Sequence, residues 1–188
     1  MYDFLFYQTK IPKQIISSLI VDLRDNILDT NNLKEGLIGT ENTSKKQRDS
    51  KIEFINSNLW ISGFIYYYIL QANEINYNYD ISGYSNSCIQ YSEYTEGCFY
   101  DWHIDYQGGA EKTVVDRKLS FSLQLSEPDE YEGGELQLMD SCTNKTYFAP
   151  KNLGTIVIFD SKIKHRVRKV KSGCRKSLVG WVVGPKFR

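Results

Sequence analysis

The chain has 188 residues, 41% of them hydrophobic, and its 23 basic and 23 acidic side chains give a formal net charge of zero. This length suffices for one substantial core, so a single domain over residues 1–188 is expected. The charge balance excludes a bulk electrostatic attraction to nucleic acid or to an anionic membrane, although it leaves room for a local basic patch.

The N-terminus and the cysteines predict a protein of the cytoplasm, either of its own cell or of a host cell. Met1–Tyr7 lacks the basic region and long apolar core of a signal peptide, and no apolar run is long enough to span a bilayer. The four cysteines, Cys88, Cys98, Cys142 and Cys174, show neither CxxC pairing nor zinc spacing. We therefore expect free thiols in a reducing compartment and no contact with a membrane.

Two apolar stripes predict helices in the N-terminal part, about residues 1–75. The first follows Pro12, which suits a first helical turn, and consists of Ile15, Ile16, Leu19, Ile20 and Leu23. The second consists of Trp60, Ile61, Phe64, Ile65 and Tyr68. Ser57 or Asn58 is its expected cap. Between the stripes, Asp25–Ser50 is expected to be a long mobile loop that orders with a partner, and Lys51–Ile55 a short strand.

From about residue 77 to 185 the pattern changes to short alternating runs separated by glycine turns, which predicts strands. The predicted strands are Tyr79–Ser82, Cys88–Tyr94, Cys98–Asp105, Leu119–Ser126, Glu135–Asp140, Thr146–Ala149, Thr155–Asp160, Ile163–Val170 and Arg175–Val183. Helices followed by many short strands indicate a mainly β, α+β protein with helices packed outside a β-sandwich or jelly roll.

Three residues can hold a metal ion between them. His103 and Asp105 are two positions apart in a predicted strand, so their side chains point to the same face. The other histidine of the chain, His165, lies in a second predicted strand. Two histidines and one carboxylate with open positions form the facial triad of non-haem Fe(II) oxygenases. The same three residues also suit a zinc hydrolase.

Several predicted strands have one polar and one apolar face. One polar face carries Gln90, Ser92 and Tyr94, and another carries Ser120, Ser122 and Gln124. These faces are either solvated or line a barrel interior around a metal.

An arginine follows the second histidine by ten positions. Arg175 could hold the far carboxylate of a dicarboxylic cosubstrate through two parallel hydrogen bonds, and Ser177 on the same face could donate to that group. A zinc hydrolase has no need of such an arginine, so Arg175 favours iron.

The order of these residues resembles a known family. Tyr94, Gly97, Tyr100, His103 and Asp105 are followed by Gly133-Gly134-Glu135-Leu136, Gly154 to Phe159, His165-x-Val167 and Gly173-x-Arg175-x-Ser177. This pattern, over about Ile89–Pro185, is similar to the Fe(II)/2-oxoglutarate-dependent dioxygenases. It looks like their prolyl 4-hydroxylase-type branch, which includes small microbial and phage-encoded members.

The resemblance implies a double-stranded β-helix, a jelly-roll or cupin-like core, with His103, Asp105 and His165 as catalytic iron ligands. It implies 2-oxoglutarate and O2 as cosubstrates and allows ascorbate as an accessory. Tyr94, Gln124, Leu136, Arg175 and Ser177 would contact 2-oxoglutarate, and Tyr100, Arg117 and Trp181 would lie near the substrate. The implied reaction is hydroxylation of a C–H bond of a prolyl or other residue in a protein or peptide, with release of succinate and CO2.

Other functions are also compatible with parts of this pattern. A nucleic acid demethylase of the same fold typically has a further arginine where this chain has Trp181, which disfavours that function. A free amino acid hydroxylase and a non-catalytic cupin-like binding protein are further alternatives, and the intact triad with Arg175 argues against the latter. Retention of Asp105 argues against a halogenase, which needs a small residue there.

One charged run departs from the family pattern, because relatives commonly have a proline shortly after the second histidine. The basic residues are Lys162, Lys164, Arg166 and Arg168, which alternate with the residues around His165 and should face outwards. They form either a solvated surface or a rim that recruits an acidic peptide or a nucleic acid backbone.

Overall fold

Two antiparallel sheets contain most of the strands, and two helices cover one of the sheets. The structure is a computed structural model, and it describes residues 5–29, 33–36, 47–106 and 114–186. The helices are α1 (Lys13–Asp22) and α2 (Trp60–Ala72). The strands of the described part are β1 (Tyr7–Lys10), β2 (Lys34–Glu35), β3 (Arg48–Asp49), β4 (Lys51–Asn56), β5 (Gly83–Tyr84), β6 (Cys88–Thr95), β7 (Phe99–His103), β8 (Val115–Gln124), β9 (Tyr131–Gly133), β10 (Leu136–Met139), β11 (Thr146–Phe148), β12 (Thr155–Asp160), β13 (Lys164–Val167) and β14 (Val170–Pro185).

The larger sheet has the strand order β1-β12-β8-β14-β6-β4-β2, with β5 and β9 paired to β14. The smaller sheet has the order β11-β10-β13-β7-β3. Apart from the hairpin of β10 and β11, most neighbouring strands are distant in sequence, as in a jelly roll. The predicted fold, mainly β with N-terminal helices and a double-stranded β-helix core, is confirmed.

The main core lies between the helices and the outer face of the larger sheet. Because side chains alternate along a strand, Leu119, Phe121 and Leu123 of β8 all point towards Ile65 and the other buried residues of the helices. The opposite face of β8 carries Ser120 and the other polar residues of that strand, and it faces the smaller sheet. The core therefore fixes which side chains reach the interior between the sheets.

A glycine in β14 allows close packing in this core. A Cβ atom added at Gly180 would lie 2.6 Å from Cε1 of the Phe121 ring and 3.3 Å from Cγ2 of Ile89. A distance of 2.6 Å is well below normal carbon–carbon contact, so any larger residue would displace a buried aromatic ring.

Both helix predictions are confirmed, but the predicted cap of α2 is wrong. The residue before the helix is Leu59, and no side chain caps it. Asn58 uses its backbone N–H to bind Oδ1 of Asn56, 3.1 Å away. This local Asx-type turn competes with a capping arrangement for Ser57 or Asn58.

One predicted strand is absent from the described structure. Tyr79–Ser82 is irregular because the Asn73 side chain binds both backbone groups of Tyr79, at 3.0 Å to its N–H and 2.9 Å to its carbonyl. Backbone groups bound in this way cannot join a ladder. The chain enters the sheet at β5 instead.

The remaining predicted strands are confirmed within a few residues, although β14 begins at Val170, five residues before the predicted start. The prediction missed β1 and β9, and it read Asp25–Ser50 as one loop. That segment contains the short strands β2 and β3, and it begins within a helical turn at Leu23–Ile27. Residues 30–32 and 37–46 of the predicted loop lie outside the described residues, as do 107–113 of the loop after Asp105.

None of the helices in the described ranges is both long enough and apolar enough to cross a membrane.

Candidate metal and cosubstrate site

The three predicted metal ligands meet in the interior between the sheets. His103 ends β7, Asp105 follows it by two residues, and His165 is the residue of β13 that pairs directly with His103. Asp105 Oδ1 is 3.6 Å from His103 Nε2, and Asp105 Oδ2 is 3.3 Å from His165 Nε2. The candidate ligand atoms all lie within 4.8 Å of one another. A single ion can therefore contact all three side chains.

Backbone carbonyls orient both imidazoles. Nδ1 of His103 lies 2.8 Å from the carbonyl of Asp101, and Nδ1 of His165 lies 2.9 Å from the carbonyl of Ile163. A carbonyl only accepts, so each Nδ1 carries the proton and donates it. Each Nε2 then points at Asp105 as the metal-binding atom, the usual arrangement of ligand histidines.

A small hydrogen-bond network holds Asp105. Its Oδ2 accepts from the Ser120 hydroxyl at 2.8 Å, and that hydroxyl also lies 2.9 Å from the Ser161 hydroxyl. The backbone N–H of Asp105 donates to the carbonyl of Ser161 at 3.0 Å. Ser120 is on the polar face of β8. That face therefore lines the interior between the sheets and is not a solvated surface.

The electrostatics favour a charged carboxylate beside a neutral His103. Burial lowers the pKa of His103 to about 4, with the neighbouring His165 acting in the same direction. Burial alone would raise the pKa of Asp105, but both histidines and the Ser120 hydroxyl outweigh it and lower that pKa. Burial likewise opposes the charge of His165, but Asp105 raises its pKa. Two nitrogen ligands and one anionic oxygen ligand fit Fe(II) with positions left open.

A stack of planar groups supports one face of the His103 imidazole. The Tyr100 ring lies 3.6 Å from the imidazole of His103, centroid to centroid, with 13° between the planes. Arg48 of β3 places its guanidinium carbon 4.7 Å from the centroid of the Tyr100 ring. Tyr100 is thus in contact with a candidate metal ligand and also lines the cavity, while its proximity to a substrate stays a prediction.

Arg175 lies on the wall of the same cavity. The side chain is buried, with 2% of the residue exposed, and Tyr94 lies opposite it on β6. Its guanidinium donates to the Ser177 hydroxyl at 3.1 Å and to the Ser122 hydroxyl at 3.4 Å. The guanidinium carbon lies 5.6 Å from the centroid of the Tyr94 ring. Ser177 therefore contacts Arg175, and its donation to a cosubstrate carboxylate stays a prediction.

A residue that the sequence prediction missed lies beside Arg175. Tyr131 is buried in the short strand β9, and its hydroxyl accepts from the side-chain amide of Gln124 at 2.7 Å. Burial raises the pKa of Tyr131, so the hydroxyl keeps its proton. It can donate this proton into the cavity that Gln124, Leu136 and Arg175 also line. Three-residue strands show no clear alternation, so the only sequence signal was the adjacent Gly133-Gly134 pair.

The last two predicted residues, Arg117 and Trp181, contact each other. The guanidinium carbon of Arg117 lies 4.2 Å from the centroid of the Trp181 ring, and Trp181 lines the cavity. Among the described residues, Nε of Arg117 is buried without a hydrogen-bond partner. Burial lowers the pKa of Arg117. The structure therefore brings every predicted site residue except Gln124 to the cavity of the triad or to a side chain on its wall. Gln124 lines an adjoining cavity that shares Leu136 and Arg175 with the first.

These features define a class of protein: a double-stranded β-helix with a His/Asp/His triad beside a buried arginine. The family model of the 2OG-Fe(II) oxygenase superfamily matches residues 89–183, half of the chain. The chain belongs to this superfamily.

Relatives of known sequence agree with this assignment. The chain is 39% identical over 94 residues to a PKHD-type hydroxylase of Parvibaculum lavamentivorans, a match that covers 50% of this chain and 41% of the relative. It is 32% identical over 142 residues to a PKHD-type hydroxylase of Prochlorococcus marinus, with 76% of this chain and 59% of the relative covered. The chain thus spans about half the length of the curated relatives that it matches.

Solved structures show the same fold at low sequence identity. A Pseudomonas putida prolyl-4-hydroxylase aligns with a TM-score of 0.73 at 18% identity, over 98% of this chain and 95% of that one. A Trichoplax adhaerens prolyl hydroxylase, solved with a hypoxia inducible factor peptide fragment, aligns with a TM-score of 0.76 at 17% identity, over 96% and 84% of the two chains.

Proposed function

We propose that this protein is an Fe(II)- and 2-oxoglutarate-dependent dioxygenase that hydroxylates a C–H bond, preferably of a prolyl residue in a protein or peptide. The observation that carries the proposal is one cavity lined by both the His103, Asp105 and His165 triad and the buried Arg175. A metal centre and a buried cation on one cavity match a cosubstrate with a chelating end and an anionic end.

The cosubstrate would lie between these two ends. Arg175 binds the far carboxylate through its guanidinium, which Ser122 and Ser177 hold in place. Tyr131 donates its hydroxyl proton to the same carboxylate, because Gln124 already donates to the hydroxyl oxygen. Leu136 lines the same cavity as the triad and Arg175 and packs against the carbon chain.

The residues around the metal set the geometry of the reaction. When bound by His103, Asp105 and His165, Fe(II) supplies the oxidative decarboxylation of 2-oxoglutarate to succinate and CO2 and the activation of O2. The Ser120 hydroxyl and two backbone carbonyls keep the three ligand side chains in one orientation. Phe159 and Val167 on the cavity wall help exclude water from the reacting atoms.

Two observations favour a prolyl side chain as the target: the solved structures that share this fold, and the aromatic residue on the cavity wall near His103. The structures with the same fold include prolyl hydroxylases, one of them solved with a peptide fragment. Trp181 provides an aromatic surface on the wall of the triad cavity, which suits the packing of a pyrrolidine ring. We also propose a reducing cytoplasmic setting, in keeping with the free thiols of all four cysteines.

The test is to incubate the full chain with Fe(II), 2-oxoglutarate, ascorbate and candidate substrates in air. Proline-containing peptides, free proline and methylated oligonucleotides would be compared by mass spectrometry and by succinate release. We expect the mass gain of one oxygen atom on a peptide, together with succinate. Hydroxylation of the free amino acid alone, or demethylation of the oligonucleotide alone, would refute the peptide substrate and keep the oxygenase.

A further inference from the structure

The outer surface of the smaller sheet combines cations with aromatic rings. His165 and Val167 of β13 are buried towards the triad, so the alternate residues Lys164 and Arg166 point away from it. We name this surface the basic–aromatic face and define it by Trp102, Phe148, Lys164, Arg166 and Arg168. None of these side chains belongs to the proposed metal or cosubstrate site.

A row of planar groups crosses four strands of this face. The guanidinium carbon of Arg166 lies 4.6 Å from the centroid of the Trp102 ring, and its Nε donates to Gln137 Oε1 at 2.8 Å. Gln137, which is buried beneath the face, pairs with Phe148 on the next strand. Since strands are about 4.8 Å apart, Trp102 and Phe148 stand about 14 Å from each other. Phe148 is 53% exposed, so its ring is available to a ligand.

Two further cations flank this row. Nζ of Lys164 lies 6.0 Å from the centroid of Trp102, and the guanidinium carbon of Arg168 lies 5.8 Å from that of Phe148. Glu135 offsets part of the charge of Arg168, at an N–O distance of 3.7 Å. Residues two apart on a strand are about 6.6–7 Å apart, so the cations form an extended stripe along β13.

We propose that the basic–aromatic face binds single-stranded nucleic acid. Proteins bind single strands without sequence preference by combining cations along the backbone with aromatic or guanidinium planes on which bases stack. An acidic peptide would use the cations and leave the row of planar groups without a partner. Recognition through phosphates and base faces does not involve the sugar, so RNA and DNA should bind alike.

The absence of a net charge on the chain limits the expected affinity for nucleic acid. The formal net charge is zero, so attraction depends on the local stripe alone. Contacts to about three phosphates predict a slope of about −2 for the logarithm of the binding constant against the logarithm of salt concentration. We expect dissociation constants of about 1–100 µM at about 0.15 M salt.

The experiment is fluorescence anisotropy with labelled 12-nucleotide oligo(U) and oligo(dT) in the presence of a chelator, over a range of salt concentrations. Without metal, the result does not depend on the proposed oxygenase activity. We expect the double variant Lys164→Glu/Arg168→Glu to weaken binding at least 10-fold and to flatten the salt slope. Trp102→Ala should weaken binding at low and high salt alike, because it removes stacking and not charge.

Matched controls separate the face from general effects. Lys10→Glu/Lys186→Glu makes the same change in net charge at exposed positions outside the face, and Trp60→Ala removes a half-exposed tryptophan from α2. Both should bind as the unmodified protein does. Three results would each overturn the proposal: no binding at about 20 mM salt, equal losses in the control variants, or equal competition by a poly-glutamate peptide of the same length. Melting temperatures identify any variant that fails to fold.

Discussion

The ring of Tyr100 lies face to face with the imidazole of His103, with centroids 3.6 Å apart. This contact restrains the flat face of a proposed metal ligand whose Nδ1 edge is already held by the carbonyl of Asp101, so it should contribute to metal affinity. We expect Tyr100→Leu to weaken Fe(II) binding by about 10–100-fold, the range found when groups that orient a ligand are removed. Titration of the metal-free protein with Fe(II) under anaerobic conditions measures the change.

The conservative variant Tyr100→Phe is the control for this contact. It keeps the ring and loses only the hydroxyl, so metal affinity should stay within about 2-fold of the unmodified protein. Equal losses in Tyr100→Phe and Tyr100→Leu would show that the stack does not position His103.

Tyr131 is expected to bind the cosubstrate through its hydroxyl. Hydrogen bonds to charged groups contribute about 1.5–3 kcal/mol, so Tyr131→Phe should raise the dissociation constant of 2-oxoglutarate by about 10-fold or more. Calorimetric titration with 2-oxoglutarate in the presence of a redox-inert divalent metal is the measurement. Tyr147→Phe on β11 alters a half-exposed tyrosine and should leave the constant unchanged. An unchanged constant in Tyr131→Phe would exclude the predicted contact.

Arg175 is expected to act on cosubstrate binding more than on the chemical step. Arg175→Lys keeps the charge but cannot form two parallel hydrogen bonds to a carboxylate, so the KM for 2-oxoglutarate should rise at least 10-fold. Arg175→Ala should raise it further, while kcat at saturating 2-oxoglutarate falls less. A fall in kcat with an unchanged KM in both variants would contradict this assignment.

Two glycine substitutions test the packing of the core. Gly180→Ala would place a methyl group 2.6 Å from the Phe121 ring, so it should lower the free energy of unfolding by about 1–3 kcal/mol. Gly63→Ala in α2 meets nothing within 4 Å and should raise it by about 0.5–1 kcal/mol. Urea denaturation of both variants gives the two values. Equal effects would show that Phe121 does not limit the space at position 180.

The metal triad could be predicted from the sequence because its geometry is mostly local. His103 and Asp105 are two residues apart, and strand alternation alone places them on one face. The pairing of His165 with His103 joins residues 62 positions apart, so the expectation there came from resemblance to a family. Arg175 and Ser177 followed from the same combination of local alternation and family pattern.

The parts that the sequence did not predict depend on distant contacts. Tyr131 reaches Arg175 because β9 pairs with the start of β14, and no local pattern encodes that pairing. Strand β1 forms by adding to the edge strand β12, about 150 residues later in the chain. The false strand at Tyr79–Ser82 arose because an asparagine side chain, six residues earlier, binds the backbone that alternation had predicted to pair.

The measurement that tests the central claim most directly is Fe(II)-dependent release of succinate from 2-oxoglutarate by the full chain and by Asp105→Ala. Asp105 links both histidines of the triad, at 3.6 Å and 3.3 Å, so its removal should abolish metal binding and succinate release together. The Asp101→Ala variant, which removes an exposed carboxylate from the same segment, should retain both. Undiminished succinate release by a folded Asp105→Ala protein would contradict the assignment of the iron site.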